Sequence, residues 1–101
     1  MSLDASIARY IADNPASAAR HAQARKVMPG GNTRTVLHYE PFPLTFVRGE
    51  GPYLFSADGR RYIDFLGEYT AGLFGHSEPV ILDAIREALG RGLSFGSTNN
   101  L

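Results

Sequence analysis

The stretch Leu44-Thr45-Phe46-Val47-Arg48-Gly49-Glu50-Gly51-Pro52-Tyr53-Leu54-Phe55-Ser56-Ala57-Asp58-Gly59-Arg60-Arg61-Tyr62-Ile63-Asp64-Phe65 decides the fold. Gly49-Glu50-Gly51 and Ala57-Asp58-Gly59 are turn triplets, the second with glycine placed for positive φ. The runs around them are short and rich in aromatic and β-branched residues, which predicts strands over 44–48, 52–56 and 60–65. The third run alternates polar and apolar residues and sets Tyr62, with Ile63 and Phe65, inward. Three strands joined by two tight turns make an antiparallel meander.

Helices flank it. Upstream, Ile7, Tyr10 and Ile11 stand at helical spacing within Leu3–Ala12, with Asp4 placed to cap them. Asn14-Pro15 reads as a stop and a restart, asparagine as the cap and proline in the first turn. Residues 15–27 are rich in Ala, Arg and Gln, with a weak apolar face of Ala18, Ala22 and Val27. Pro29-Gly30-Gly31-Asn32 ends that helix, and 33–43, with two prolines, reads as extended. Downstream, 67–76 is a glycine-punctuated loop, and Ser77 stands as the cap of an amphipathic helix from about Glu78 to Leu89. Val80, Ile81, Ala84, Ile85, Ala88 and Leu89 fill one of its faces. The fold class is α+β: a helical arm, a small antiparallel sheet and one long helix.

Composition narrows the function. The 101 residues carry ten Lys plus Arg against ten Asp plus Glu, a formal net charge of zero. Nucleic acid as a partner needs surplus cations to displace phosphate counterions, and a membrane surface needs a polybasic patch, so neither is expected. A hydrophobic share of 44% with 11% aromatics is too apolar for a disordered chain. With no cysteine there is no disulfide, thiolate metal site or cysteine nucleophile. No apolar run is long enough for a membrane span, and the first residues lack the basic and apolar regions of a signal peptide, so a cytoplasmic protein is expected. Residues 93–101 run out without a closing element, and the chain is expected to be the N-terminal part of a longer protein.

Chemistry is confined to loops. Arg34, in Gly-Gly-Asn-Thr-Arg-Thr, offers a planar, permanently charged fork that matches a carboxylate or phosphate bidentately, although spacing alone favours a solvated surface arginine. Pro29-Gly30-Gly31 lacks the pattern of a phosphate-cradling loop. Glu68, Tyr69 and His76 bring a carboxylate, a phenol and an imidazole into one loop, where acid–base work competes with a bracing role for His76. One histidine and one glutamate are too few for a metal site. Phe95–Asn100 is small and polar, as suited to a plain connector as to holding an anion. The single lysine, Lys26, lies in an Arg/Gln-rich segment and reads as a surface residue.

The ordered string Met28-Pro29-Gly30-Gly31-Asn32-Thr33-Arg34, Pro41-Phe42-Pro43-Leu44, Arg48-Gly49-Glu50-Gly51, Asp58-Gly59-Arg60-Arg61-Tyr62-Ile63-Asp64-Phe65 and Gly75-His76-Ser77-Glu78-Pro79 goes further. From about residue 24 to 101 it resembles the N-terminal segment of class III, pyridoxal-phosphate-dependent aminotransferases. The likeness is greatest to the glutamate-1-semialdehyde aminomutase-like branch and its β-amino-acid aminotransferases. The resemblance implies a parent of fold type I, an α/β enzyme several times longer that works as a homodimer on an amino acid and a keto acid. It places 1–27 as a helical arm and 28–101 as the N-terminal part of the small domain and the start of the large one. It implies that no catalytic residue lies here, the Schiff-base lysine being further along. It carries over Arg34 as the ligand of the substrate carboxylate, and Tyr39 and Tyr69 as substrate-facing aromatics, with Val36 and Ala71 as pocket neighbours. The aminomutase's own substrate arginine falls where this chain has Leu37, which favours an aminotransferase. The alternatives are an aminomutase of the same fold and a non-catalytic fragment.

Overall fold

The structure, a computed structural model, describes residues 2–97. Two helices, α1 (Leu3–Asp13) and α2 (Pro15–Ala24), lead into strands β1 (Phe46–Glu50), β2 (Tyr53–Ser56) and β3 (Arg61–Ile63), and helix α3 (Pro79–Gly90) follows. The strands form one antiparallel sheet in the order β1-β2-β3, so the α+β class and the meander stand.

The first turn is tighter than the spacing predicts. Glu50 pairs with Tyr53, which leaves only Gly51 and Pro52 to turn, and β1 slides two residues downstream to 46–50. Phe46 pairs with Ser56 and Arg48 with Phe55, so Val47 is an extra residue that bulges the strand. β3 is shorter than 60–65 because the Asp64 carboxylate accepts from the Leu66 and Gly67 amides and turns the chain out of the sheet. Tyr62 packs edge-on against Phe46, but Ile63 is 56% and Phe65 92% exposed. The inward placement of Ile63 and Phe65 is therefore corrected: nothing among the described residues covers that side.

Helix ends also depart from expectation. Ser2, not Asp4, caps α1, its Oγ accepting from the Ala5 amide. Ser77 does not cap α3; its hydroxyl accepts from the Gly51 amide at 2.9 Å, and Glu78 takes the capping position. Asn14 precedes α2 as predicted, yet its Nδ2 donates back to the Tyr10 carbonyl and its side chain caps nothing. The Asp58 carboxylate, from the β2–β3 turn, does so instead. α2 ends at Ala24, and the extended 33–43 path contains one 3-10 turn, Thr35–Leu37.

Among the described residues Phe42 is the one buried hydrophobic, its ring 5.1 Å from that of Tyr10. Burial pushes the Tyr10 hydroxyl pKa well above its ordinary value, and that hydroxyl donates to the Phe42 carbonyl at 2.8 Å. The radius of gyration is 17.5 Å, where a compact domain of this length has about 13 Å. No helix among the described residues is long and apolar enough to cross a membrane.

Candidate functional site

The loop after α2 and the loop after β3 face each other across an apolar groove of about 540 Å³. Met28, Thr33, Val36, Leu37 and Tyr39 line it from the first loop, Leu44 from the approach to β1, Phe46 from the start of β1, and Leu66 and Tyr69 from the second loop. No charged residue among the described ones lines it. Tyr39 is fixed by its own hydroxyl, which accepts from the Leu44 amide at 2.8 Å.

Tyr69 reaches the groove by an unusual backbone. Gly67, Glu68, Tyr69 and Thr70 have φ of 53°, 52°, 54° and 82°, a left-handed turn in which three residues are not glycine. Such conformations cost of order 1–3 kcal/mol each and persist where the surroundings hold them. The surroundings here are the Asp64 and His76 side chains. Asp64 Oδ1 accepts from Leu66 and Gly67 at 2.9 and 3.0 Å, and Oδ2 lies 2.8 Å from His76 Nε2. The Gly67 amide, against opposing burial, and then His76 and the Leu66 amide hold the Asp64 carboxyl below its ordinary pKa.

The groove thus brings together Val36, Tyr39 and Tyr69 of the five residues singled out in the sequence. Arg34 and Ala71 are exposed and do not line it. Arg34 stands between two lining residues, Thr33 and Val36, in extended backbone that opens the Thr35–Leu37 turn, and no carboxylate among the described residues pairs with it. Lys26 is exposed in the turn after α2 and is no part of the groove. Of the Phe95–Asn100 segment, Thr98, Asn99 and Asn100 lie outside the described residues. Sequence reasoning missed Phe46, Leu66 and Asp64. Phe46 and Leu66 carry no local signal beyond being apolar, and Asp64 reads as a polar strand residue until its loop partners are seen.

The sequence profile described as Aminotransferase class-III matches residues 36–100. The chain belongs to the class-III aminotransferase family. Within that family it is 50% identical, over 93 residues, to the Beta-phenylalanine transaminase of Variovorax paradoxus, covering 92% of this chain and 21% of that protein. The crystal structure of a beta-phenylalanine aminotransferase from the same organism superposes with a TM-score of 0.88 at 47% identity, over 99% of this chain and 24% of that one. A Glutamate-1-semialdehyde 2,1-aminomutase of Desulforudis audaxviator is 39% identical over 92 residues, 88% of this chain and 21% of the relative. The structure of a transaminase with PLP bound superposes with a TM-score of 0.81 at 41% identity, over 85% of this chain and 20% of that one. This class-III aminotransferase chain spans about a fifth of the length of the curated relatives it matches.

Proposed function

We infer that the chain is the N-terminal portion of a pyridoxal-phosphate-dependent aminotransferase, which moves the amino group of an amino acid, β-amino acids among them, to a keto acid. The observation that carries this reading is the uncharged groove walled by Val36, Leu37, Tyr39, Phe46 and Tyr69, with Arg34, which pairs with no carboxylate among the described residues, at its edge in sequence. An apolar wall and a nearby guanidinium suit a substrate that joins an apolar side chain to a carboxylate. The 50% identity to a beta-phenylalanine transaminase supports the same substrate class. In this reading Arg34 binds the carboxylate through its bidentate fork, Tyr39, Tyr69 and Val36 contact the side chain, and Ala71 is a pocket neighbour.

Pyridoxal phosphate, when bound, supplies the electron sink for the amino-group chemistry, and the protein supplies orientation and charge. The described residues do not fit as its anchor: the groove holds no lysine and no cation, and Lys26 is exposed elsewhere. In this reading the Schiff-base lysine lies outside this stretch, as the resemblance implies. A homodimer in the cytoplasm completes the proposal, as the resemblance implies. An aminomutase is the second reading, favoured by the Desulforudis relative. Leu37, where the resemblance puts that branch's arginine, is a groove-lining apolar residue and speaks for the aminotransferase.

The test is the full-length protein, purified with pyridoxal phosphate and offered β-phenylalanine, an α-amino acid or glutamate-1-semialdehyde. Amino transfer from β-phenylalanine to a keto acid is the expected result. Isomerisation of the semialdehyde alone would establish the aminomutase, and no turnover of any of the three would overturn the reading.

A further inference from the structure

We propose that Asp64 and His76 act together as a positioning clasp that holds the strained 67–70 turn and so presents Tyr69 to the groove. The inference rests on the groove being the substrate pocket. Asp64 closes the near end of the loop, its Oδ1 accepting from the Leu66 and Gly67 amides. His76 closes the far end, its Nε2 2.8 Å from Asp64 Oδ2. The histidine is itself pinned to the sheet. Its amide donates to the Gly51 carbonyl at 3.0 Å, and its ring lies so close over Gly49 that a Cβ there would sit 2.6 Å from His76 Cγ.

Between these two ends the loop is held by its own backbone, Tyr69 to the Leu66 carbonyl at 3.1 Å and Gly72 to the Gly67 carbonyl at 2.8 Å. Glu68, Tyr69 and Thr70 all disfavour the left-handed backbone they adopt, so the turn is strained. With the clasp open, the turn relaxes and Tyr69 leaves the groove wall. The Asp64 and His76 side chains are only 10% and 24% exposed, so water competes poorly for the pair. Neither side chain lines the groove, which makes them positioning residues rather than substrate contacts.

The experiment uses the full-length holoenzyme with β-phenylalanine as donor, and calorimetric binding of 3-phenylpropanoate, which keeps the phenyl ring and carboxylate but lacks the amine. Asp64→Ala and His76→Gln should each raise KM and the 3-phenylpropanoate Kd by roughly ten- to a hundredfold, the scale of an ångström-sized misplacement. Asp64→Asn should recover most of the loss, because its Oδ1 still accepts from both amides. Tyr69→Ala should weaken binding by itself, and adding Asp64→Ala or His76→Gln to it should weaken it no further. If Asp64→Ala does not fold, His76→Gln decides alone, since it leaves the Leu66 and Gly67 bonds in place. Unchanged KM and Kd in the clasp variants, with Tyr69→Ala impaired, would overturn the clasp and leave the groove reading intact. Additive losses in the double variants would overturn it too. Unchanged binding in Tyr69→Ala would overturn the groove reading and the clasp with it.

Discussion

Asp58 and Ser17, 41 residues apart, join the sheet to the helical arm: Asp58 Oδ2 lies 2.6 Å from the Ser17 hydroxyl and 3.1 Å from the Ser17 amide. Asp58 Oδ1 takes the Ala16 amide at 2.6 Å, so one carboxylate supplies the cap that α2 lacks from Asn14. Ser17 is fully buried, and its Oγ also accepts from the Thr45 amide just before β1. Arg60, beside Asp58 in the turn, pairs with Asp13 at the end of α1 at 3.0 Å. Both helices of the arm are therefore fixed to the meander by side chains of one hairpin turn.

Removing the central hydroxyl should loosen that junction. Ser17→Ala leaves the Thr45 amide without an acceptor and strips one donor from Asp58. A buried polar group left without its partner costs about 1–3 kcal/mol. In the full-length protein the expected result is a lower Tm and faster amide hydrogen exchange across 15–24, with exchange in α3 unaltered. Wild-type exchange in α2 would remove Ser17 from the junction.

The junction is also acid-sensitive. Burial would raise the Asp58 pKa, but the Ser17 hydroxyl, the Ala16 and Ser17 amides and the Arg60 charge outweigh it and hold the carboxyl low. Asp64 is held low as well. A carboxylate with a depressed folded pKa contributes stability that is fully present above its unfolded value of about 3.9 and is lost as pH falls through the folded value. Melting of the full-length protein between about pH 2 and pH 6 should show that loss, and Asp58→Asn should flatten its slope. Equal slopes in the two proteins would mean that Asp58 titrates as an ordinary exposed carboxylate.

On its own, the stretch 1–101 should not fold cooperatively. Phe42 is the sole buried hydrophobic among the described residues, while Val80, Ile85 and Leu89 of α3 are 75%, 51% and 54% exposed. A chain of this size with so little interior is marginal. Near-ultraviolet circular dichroism and size-exclusion chromatography of the isolated stretch should report weak tertiary signal or association. A monomer with a sharp thermal transition would refute the expectation.

What the sequence made legible was local. Asp58-Gly59 marks its hairpin turn and Pro79 marks the first turn of α3, because turn and cap chemistry act within a few residues. The partners of Asp58 lie about forty positions upstream, and nothing local distinguishes a turn-forming aspartate from one that also caps a distant helix. The left-handed backbone of Glu68 and Thr70 was unreadable for the same reason: neither residue type favours it, and Asp64 and His76 impose it from outside the turn. In the groove, Tyr39 and Tyr69 were legible through resemblance, whereas Phe46 and Leu66 became visible only once the two loops faced each other.

Arg34 gives the sharpest prediction for the proposed activity. It stands beside groove-lining residues with no carboxylate partner among the described residues, so its charge is available to a ligand. A β-amino acid holds its carboxylate one carbon farther from the amine than an α-amino acid does, and an arginine entering from the N-terminal segment suits that longer reach. Hydrogen bonds to a charged group contribute roughly 1.5–3 kcal/mol. Arg34→Ala should therefore lower kcat/KM for β-phenylalanine at least about tenfold, each 1.4 kcal/mol being tenfold. Arg34→Lys should rescue little, because a point charge does not replace the planar fork. Cofactor absorbance and Tm should stay at wild-type values, since Arg34 is exposed and pairs with no described carboxylate. Steady-state kinetics on β-phenylalanine and an α-amino acid, run on the full-length holoenzyme, check all three expectations. Wild-type kcat/KM in Arg34→Ala on both donors would leave Arg34 a surface charge and would take the carboxylate clamp out of the mechanism.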